Sequence, residues 1–395
     1  MRFTWNDKNI AYMIGVGLAL WPIHNANQPG ISFGLFLPWI GLMLVVYGCY
    51  QHLQRVNYKL DFGPKYVWIP LLLIAASALV RIAVYPSYQA VGDFTFMGTF
   101  FILYAVSRQL GTRVFSALIP FVVISSVGVL VQGVIHPGEP TGGIVFARNY
   151  DIATGYLLLG LMCAGKWRLW LSPLVLGALY FTGSSEAVFA MAILGIILIV
   201  RRDWSKDLLY VATAIAIVVF FTFIFGWDNL YSRGYAEVRN VFQNGVQDAE
   251  INATGVGLIA DRWARIEYVW NRLSPLGHGL TLTRFESTIA HNTFVLAADQ
   301  LGPLAGLSWL WVTIVCLVKT RWKYAWLSIM VLSVFDHFIW TQWAPFWWAL
   351  TGVSTAVKLE TDLVFRKYQS SIVEVGHDVR HGSELVGTKV RSRMC

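Results

Sequence analysis

Charge is what this 395-residue chain has least of: Asp, Glu, Lys and Arg together make up 13% of it. A soluble domain usually carries about a quarter charged residues to cover its surface. The chain is long enough to bury a large core, but an ordinary soluble domain is excluded. Cysteine is scarce too. Cys49, Cys163 and Cys316 stand in apolar stretches and Cys395 is the last residue, so no pair suggests a metal site or a disulfide framework. A Walker-type phosphate loop, H-E-x-x-H, C-x-x-C and D-x-D are all missing. Ile10–Ile23 is not followed by a small-residue cleavage site, so no removable signal peptide is expected. The Asn252-Ala253-Thr254 triplet is too short a match to carry weight.

Apolar residues are abundant, at 56% of the chain. They fall in blocks of about 16–24 residues, the length that crosses a hydrocarbon core of about 30 Å. Twelve spans are predicted, at 10–24, 32–52, 66–85, 93–107, 114–135, 151–165, 168–182, 186–200, 208–226, 292–317, 324–340 and 343–357. Each is expected to be a helix, because backbone polar groups in lipid must be satisfied within their own segment. The expected fold is therefore all-α and polytopic. Residues 1–357 form the transmembrane domain, with an outer loop at 227–291, and residues 358–395 form a basic tail.

The net charge of +8 does not point to nucleic acid, because basic residues are spread between the apolar blocks instead of lining one face. They do alternate. Arg55, Lys59 and Lys65 follow the second span, Arg108 and Arg113 the fourth, and Lys166 and Arg168 the sixth. Arg201, Arg202 and Lys206 follow the eighth, and Lys319, Arg321 and Lys323 the tenth. The segments Asn25–Gly30, Ser87–Gly92 and Pro137–Ala147 contain neither Lys nor Arg. By the positive-inside rule the basic side is cytoplasmic, which places both termini there and loop 227–291 outside.

That loop has no lysine but six arginines: Arg233, Arg239, Arg262, Arg265, Arg272 and Arg284. Seven acids balance them, so it is not a bulk positive field. A guanidinium fork can grip a phosphate with two parallel hydrogen bonds, which an ammonium cannot. Ala260–Leu273 is read as a helix beginning at Asp261, with Arg262, Arg265 and Arg272 within about 80° of arc. Tyr268 and Trp270 suit a membrane interface. Ser274-Pro275 ends the helix, and Leu276-Gly277-His278-Gly279 makes a tight turn.

His291, at the outer mouth of the tenth span, is the sharpest candidate for chemistry. A neutral imidazole there can take a proton from a hydroxyl, although an interfacial capping histidine is the plain alternative. Gly302 and Gly306 allow a neighbouring helix to approach closely. Arg81, near the outer end of the third span, either snorkels to the headgroups or helps bind an anionic one. Arg148 and Asn149, at the start of the sixth span, are open to the same two readings. Asp336 and His337 are ionisable groups inside the eleventh span. They are either functional or a mutually satisfied polar pair.

Several of these residues fall on a known pattern. His291-Asn292, nine residues, Gly302, three residues and Gly306 resembles the signature of bacterial O-antigen ligases, at the junction of outer loop and span where that family carries it. Asp261-Arg262-Trp263-Ala264-Arg265 followed by Pro275-Leu276-Gly277-His278-Gly279 resembles the family's segment of arginine, tryptophan and P-L-x-G-x-G. Its arginine-to-proline spacing is a few residues short, so Arg262 and Arg265 compete for one role. Thr182-Gly183-Ser184-Ser185 is similar to a T-G-S-R-G turn, with Ser185 and Glu186 in place of the last two residues. Phe146-Ala147-Arg148-Asn149, then Ala153 and Tyr156-Leu157, is similar to the start of a family span. Asp336-His337-Phe338-Ile339-Trp340-Thr341 resembles a motif of polymerase-like members.

The resemblance covers roughly residues 140–355. It implies a metal-independent, cofactor-free membrane glycosyltransferase of the O-antigen ligase or O-antigen polymerase type, in the bacterial inner membrane. The donor would be an undecaprenyl-pyrophosphate-linked glycan, and the acceptor a hydroxyl on lipid A-core or a growing polysaccharide. Protein O-glycosylation belongs to the same superfamily. The lipid bilayer is a partner and nucleic acid is not. His291, Arg262 and Arg265 would be catalytic. Arg81, Arg148, Asn149, Arg272, His278, Asn292, Asp336 and His337 would bind substrate. The competing reading is a flippase of lipid-linked saccharide, which should show two related halves around a midplane site; no internal repeat is visible here. A structural or assembly protein of the membrane is a third reading.

Overall fold

The computed structural model describes residues 6–23, 36–136, 140–146, 150–184, 266–280, 292–335, 340 and 342–356. All regular structure among them is helical. Helix α1 (Asp7–Leu20) starts at Asn6, whose side chain accepts the Asn9 N–H at 2.8 Å. It packs on α2 (Leu37–Arg55) glycine to glycine. A Cβ at Gly17 would stand 2.6 Å from the Gly41 carbonyl oxygen, and one at Gly41 2.7 Å from that of Gly17. Helix α3 (Lys65–Val84) is joined to α4 (Tyr88–Leu110) by three residues, and the Ser87 hydroxyl caps α4 by accepting the Ala90 N–H at 3.1 Å. The fourth expected span, 93–107, thus begins five residues earlier, because the cap and not the apolar run sets where the helix starts. Then follow α5 (Leu118–Ile135), the single turn α6 (Gly143–Phe146), α7 (Tyr150–Cys163) and α8 (Arg168–Thr182). Later in the chain come α9 (Thr293–Leu301), α10 (Pro303–Lys319), α11 (Lys323–Phe335) and a helical stretch at 344–356.

Three of these helices are long and apolar enough to cross a membrane: Lys65–Val84, Tyr88–Phe115 and Leu118–Ile135. Their outward faces are apolar. Leu72, Leu79 and Val84 of α3 and Ile124, Val131 and Ile135 of α5 are exposed, as are Met43 of α2 and Leu307, Trp311 and Val318 of α10. A water-soluble chain rarely leaves such wide apolar faces uncovered, whereas lipid accepts them. Among the described residues the protein is all-helical, with three helices suited to crossing a membrane. The spans expected at 186–200 and 208–226 lie outside the described residues.

The interior is rich in indoles. Trp309 stacks on Trp347 with ring centroids 3.7 Å apart. Trp347 Nε1 donates to Thr313 Oγ1 at 3.1 Å, and Trp326 Nε1 to Ser354 Oγ at 2.8 Å. Several basic residues gather at one end of the described helices. At one end Arg108 donates to Asp61 at 3.1 Å and to the Thr355 carbonyl. Gln109 reaches the Lys59 carbonyl at 3.0 Å, Arg55 pairs with Asp7 at 3.3 Å, and the Lys319 ammonium sits over the Tyr66 ring. The opposite ends of α3, α4 and α10 meet residues 266–280.

One expectation is corrected outright. The tenth span, 292–317, is two helices. Gly302, at φ 92, breaks it before Pro303, which has no N–H to continue a helix and disfavours helical backbone in the residue before it. The nine residues of α9 cover about 13 Å at 1.5 Å each, too short to span lipid. A Cβ at Gly306 would stand 2.7 Å from Ala298 Cβ and 2.8 Å from the Phe294 carbonyl oxygen. Gly306 therefore serves contact between α9 and α10, a fold-back within one segment, whereas Gly302 breaks the helix there.

Candidate functional site

Helix α9 organises the end opposite the basic one. At its start the Asn292 side chain accepts the N–H groups of Phe294 and Val295, both at 3.1 Å. Its amide donates to the Val334 carbonyl at 3.0 Å, which ties the start of α9 to the end of α11. At the other end of α9 lie the carbonyls that a helix cannot satisfy internally. The turn 274–280 satisfies two of them. His278 N–H donates to the Asp299 carbonyl and Gly279 N–H to the Gln300 carbonyl, each at 2.8 Å. Leu280 N–H donates to the Asp93 carboxylate of α4 at 3.1 Å.

This docking needs glycine. Gly277 and Gly279 have φ of 67 and 95, where L-side chains are strained. A Cβ on Gly277 would also collide with the Gln300 carbonyl and stand 2.6 Å from the Gly302 nitrogen. A Cβ on Gly302 would strike the Pro275 carbonyl oxygen. The glycine turn and the Gly302 break thus fit together backbone to backbone.

Charged side chains surround the contact. Arg81 donates to the His278 carbonyl, and at 3.4 Å to the Gln300 carbonyl. The Asp299 carboxylate meets His278 Nδ1 at 3.0 Å and accepts from Arg272 at 3.3 Å. The Arg272 guanidinium also lies 4.5 Å from the centre of the Tyr268 ring. Trp340 Nε1 donates to the Gln300 side-chain oxygen. Asp93, Asp299 and Gln300 are buried, so each of these bonds offsets a desolvation cost.

Arg81, Arg272 and His278, singled out separately in the sequence, thus share one network. Arg81 is half-buried, and its fork holds backbone carbonyls. Residues 266–271 are helical and end before Ser274-Pro275, as expected, with Tyr268 and Trp270 exposed. Asn292 lies at the other end of α9 from this network. Arg148, Asn149, Arg262, Arg265, His291, Asp336 and His337 lie outside the described residues. Asp93, Asp299 and Gln300 were not anticipated. Asp93 and Asp299 did carry a signal, because a carboxylate inside an apolar span is expensive and needs a partner.

The other quoted segments also meet. Phe146 packs on Tyr156, with ring centroids 5.1 Å apart. Thr141 N–H donates to the Phe181 carbonyl at 3.1 Å, and Thr154 Oγ1 to Thr182 Oγ1 at 3.0 Å. Gly183, at φ 63, ends α8. No protein-family model, curated protein or solved structure matches the chain.

Proposed function

We propose that the protein is a metal-independent membrane glycosyltransferase of the O-antigen ligase or polymerase type. In this reading twelve spans place both termini in the cytoplasm of a bacterium and loop 227–291 outside the inner membrane. The acceptor hydroxyl oxygen attacks the anomeric carbon of an undecaprenyl-pyrophosphate-linked glycan. The bond from that carbon to the phosphate oxygen breaks, and undecaprenyl pyrophosphate leaves with the electron pair. His291 takes the hydroxyl proton. Arg262 and Arg265 hold the departing pyrophosphate, whose charge grows in the transition state and is best met by donors already in place.

One observation carries the reading. The two sequence segments that most resemble the family, Pro275–Gly279 and His291-Asn292 through Gly306, are far apart in role but touch at Gly277 and Gly302 with no room for a side chain at either. A chance match to each would not demand that they fit each other.

The test is reconstitution into vesicles with a radiolabelled lipid-linked glycan and a panel of lipid A-core, polysaccharide and peptide hydroxyl acceptors. Transfer to one of them is expected without added metal. Glycan that crosses the bilayer without forming a new bond would show a flippase instead.

A further inference from the structure

The Asp299 carboxylate occupies an unusual position. Its side chain is 9% exposed, yet it lies between two basic groups of the outer loop, Arg272 at 3.3 Å and His278 at 3.0 Å. Those two groups are six residues apart, Arg272 at the end of the helix before the turn and His278 within the turn between its two glycines. Asp299 itself is on α9, seven residues after the Asn292 cap. One buried carboxylate therefore joins the end of the loop's basic helix, the glycine turn and the helix that follows the His-Asn pair. The neighbouring backbone bonds cannot do this alone, since they hold the turn but do not reach Arg272.

We propose that Asp299 is a positioning residue that sets the end of the loop's basic helix, at Arg272, in register with the glycine turn and α9. This rests on the glycan-transfer reading above. Arg272 is the last of the three arginines of the stripe read in the sequence, and Asp299 holds it against the glycine turn and α9. Asp299 touches no substrate in this role. It acts through Arg272 and His278, and its effect falls on the donor, whose pyrophosphate the stripe receives, and not on the acceptor.

Steady-state transfer by full-length protein in vesicles, varying donor and acceptor separately, tests this. Asp299→Asn keeps the size of the side chain and removes the charge that Arg272 pairs with. The donor KM should rise about tenfold, the scale of one lost charge-assisted hydrogen bond, with the acceptor KM unchanged. Asp299→Glu should recover part of the loss. A variant that merely folds less well would lower the maximal rate and leave both KM values alone, and that result overturns the proposal, as does a wild-type donor KM.

A second measurement needs no activity. With Cys395→Ser and Ser274→Cys, a membrane-impermeant maleimide should label position 274 about tenfold faster when Asp299 is Asn, because the turn opens more often. Equal labelling overturns the register itself. If the wild type transfers nothing while labelling still responds to Asp299, the glycan-transfer reading has failed and the mechanical link stands.

Discussion

At the scale of single residues, the site around α9 depends most on positions that carry no side chain. Gly277 combines a left-handed backbone with a Cβ direction blocked by the Gln300 carbonyl and the Gly302 nitrogen. Backbone atoms cannot swing aside as a flexible side chain can. Gly277→Ala should therefore cost about 2–4 kcal/mol, the sum of left-handed strain and overpacking. Thermal unfolding in detergent reads this directly, and a loss under about 1 kcal/mol would mean that the turn relaxes freely. The histidines offer a different comparison. His291→Ala should lower transfer by about 10²–10⁴-fold while donor still binds, the usual worth of a general base. His278 is engaged by Asp299, so His278→Ala should act mainly on donor use, and His337→Ala serves as the third arm. Near wild-type turnover in His291→Ala, with loss in either of the others, would move the assignment to that residue.

At the scale of elements, α9 is the piece on which the site turns. Nine residues make a weak helix by themselves, because nucleation uses up most of the gain from so few hydrogen bonds. It holds its shape through its ends. Asn292 caps one end and reaches Val334, while the glycine turn and Trp340 occupy the other. Asn292→Ala should cost about 1–2 kcal/mol, since it removes the cap and the link to α11 together. It should spare transfer far more than His291→Ala does, because it moves the helix start without removing a proton acceptor. Melting temperature and turnover measured on the same preparations separate the two effects. Equal loss of turnover in both variants would give Asn292 a direct part in the chemistry.

At the scale of the whole molecule, the fold is a set of apolar helices with a basic end and a polar, loop-bearing end. The glycan-transfer reading needs the polar end to face outward. Single cysteines at Asn244→Cys and Ser370→Cys, in a Cys395→Ser background, should be labelled by an impermeant reagent from opposite sides of the membrane. Labelling of both from one side would overturn the twelve-span arrangement. The helical class, the positions of α2, α3, α5, α7 and α8, and the alternation of basic ends were legible because hydropathy and lysine placement are local quantities. So was the turn after Ser274-Pro275, since proline and glycine act on their own backbone. The break at Gly302 was written there too, in a Gly-Pro pair, but a largely apolar stretch from 292 to 317 masks it: hydropathy measures length in residues and not direction in space. Sequence alone thus determined that this chain is built of apolar helices, where its basic residues recur and which segments match a known pattern. Only the tertiary structure decided that Arg81 holds backbone, that Asp299 joins Arg272 to His278, and that the glycine turn closes on Gly302. These are contacts between groups more than twenty residues apart, and no periodicity or local propensity encodes a distance of that kind.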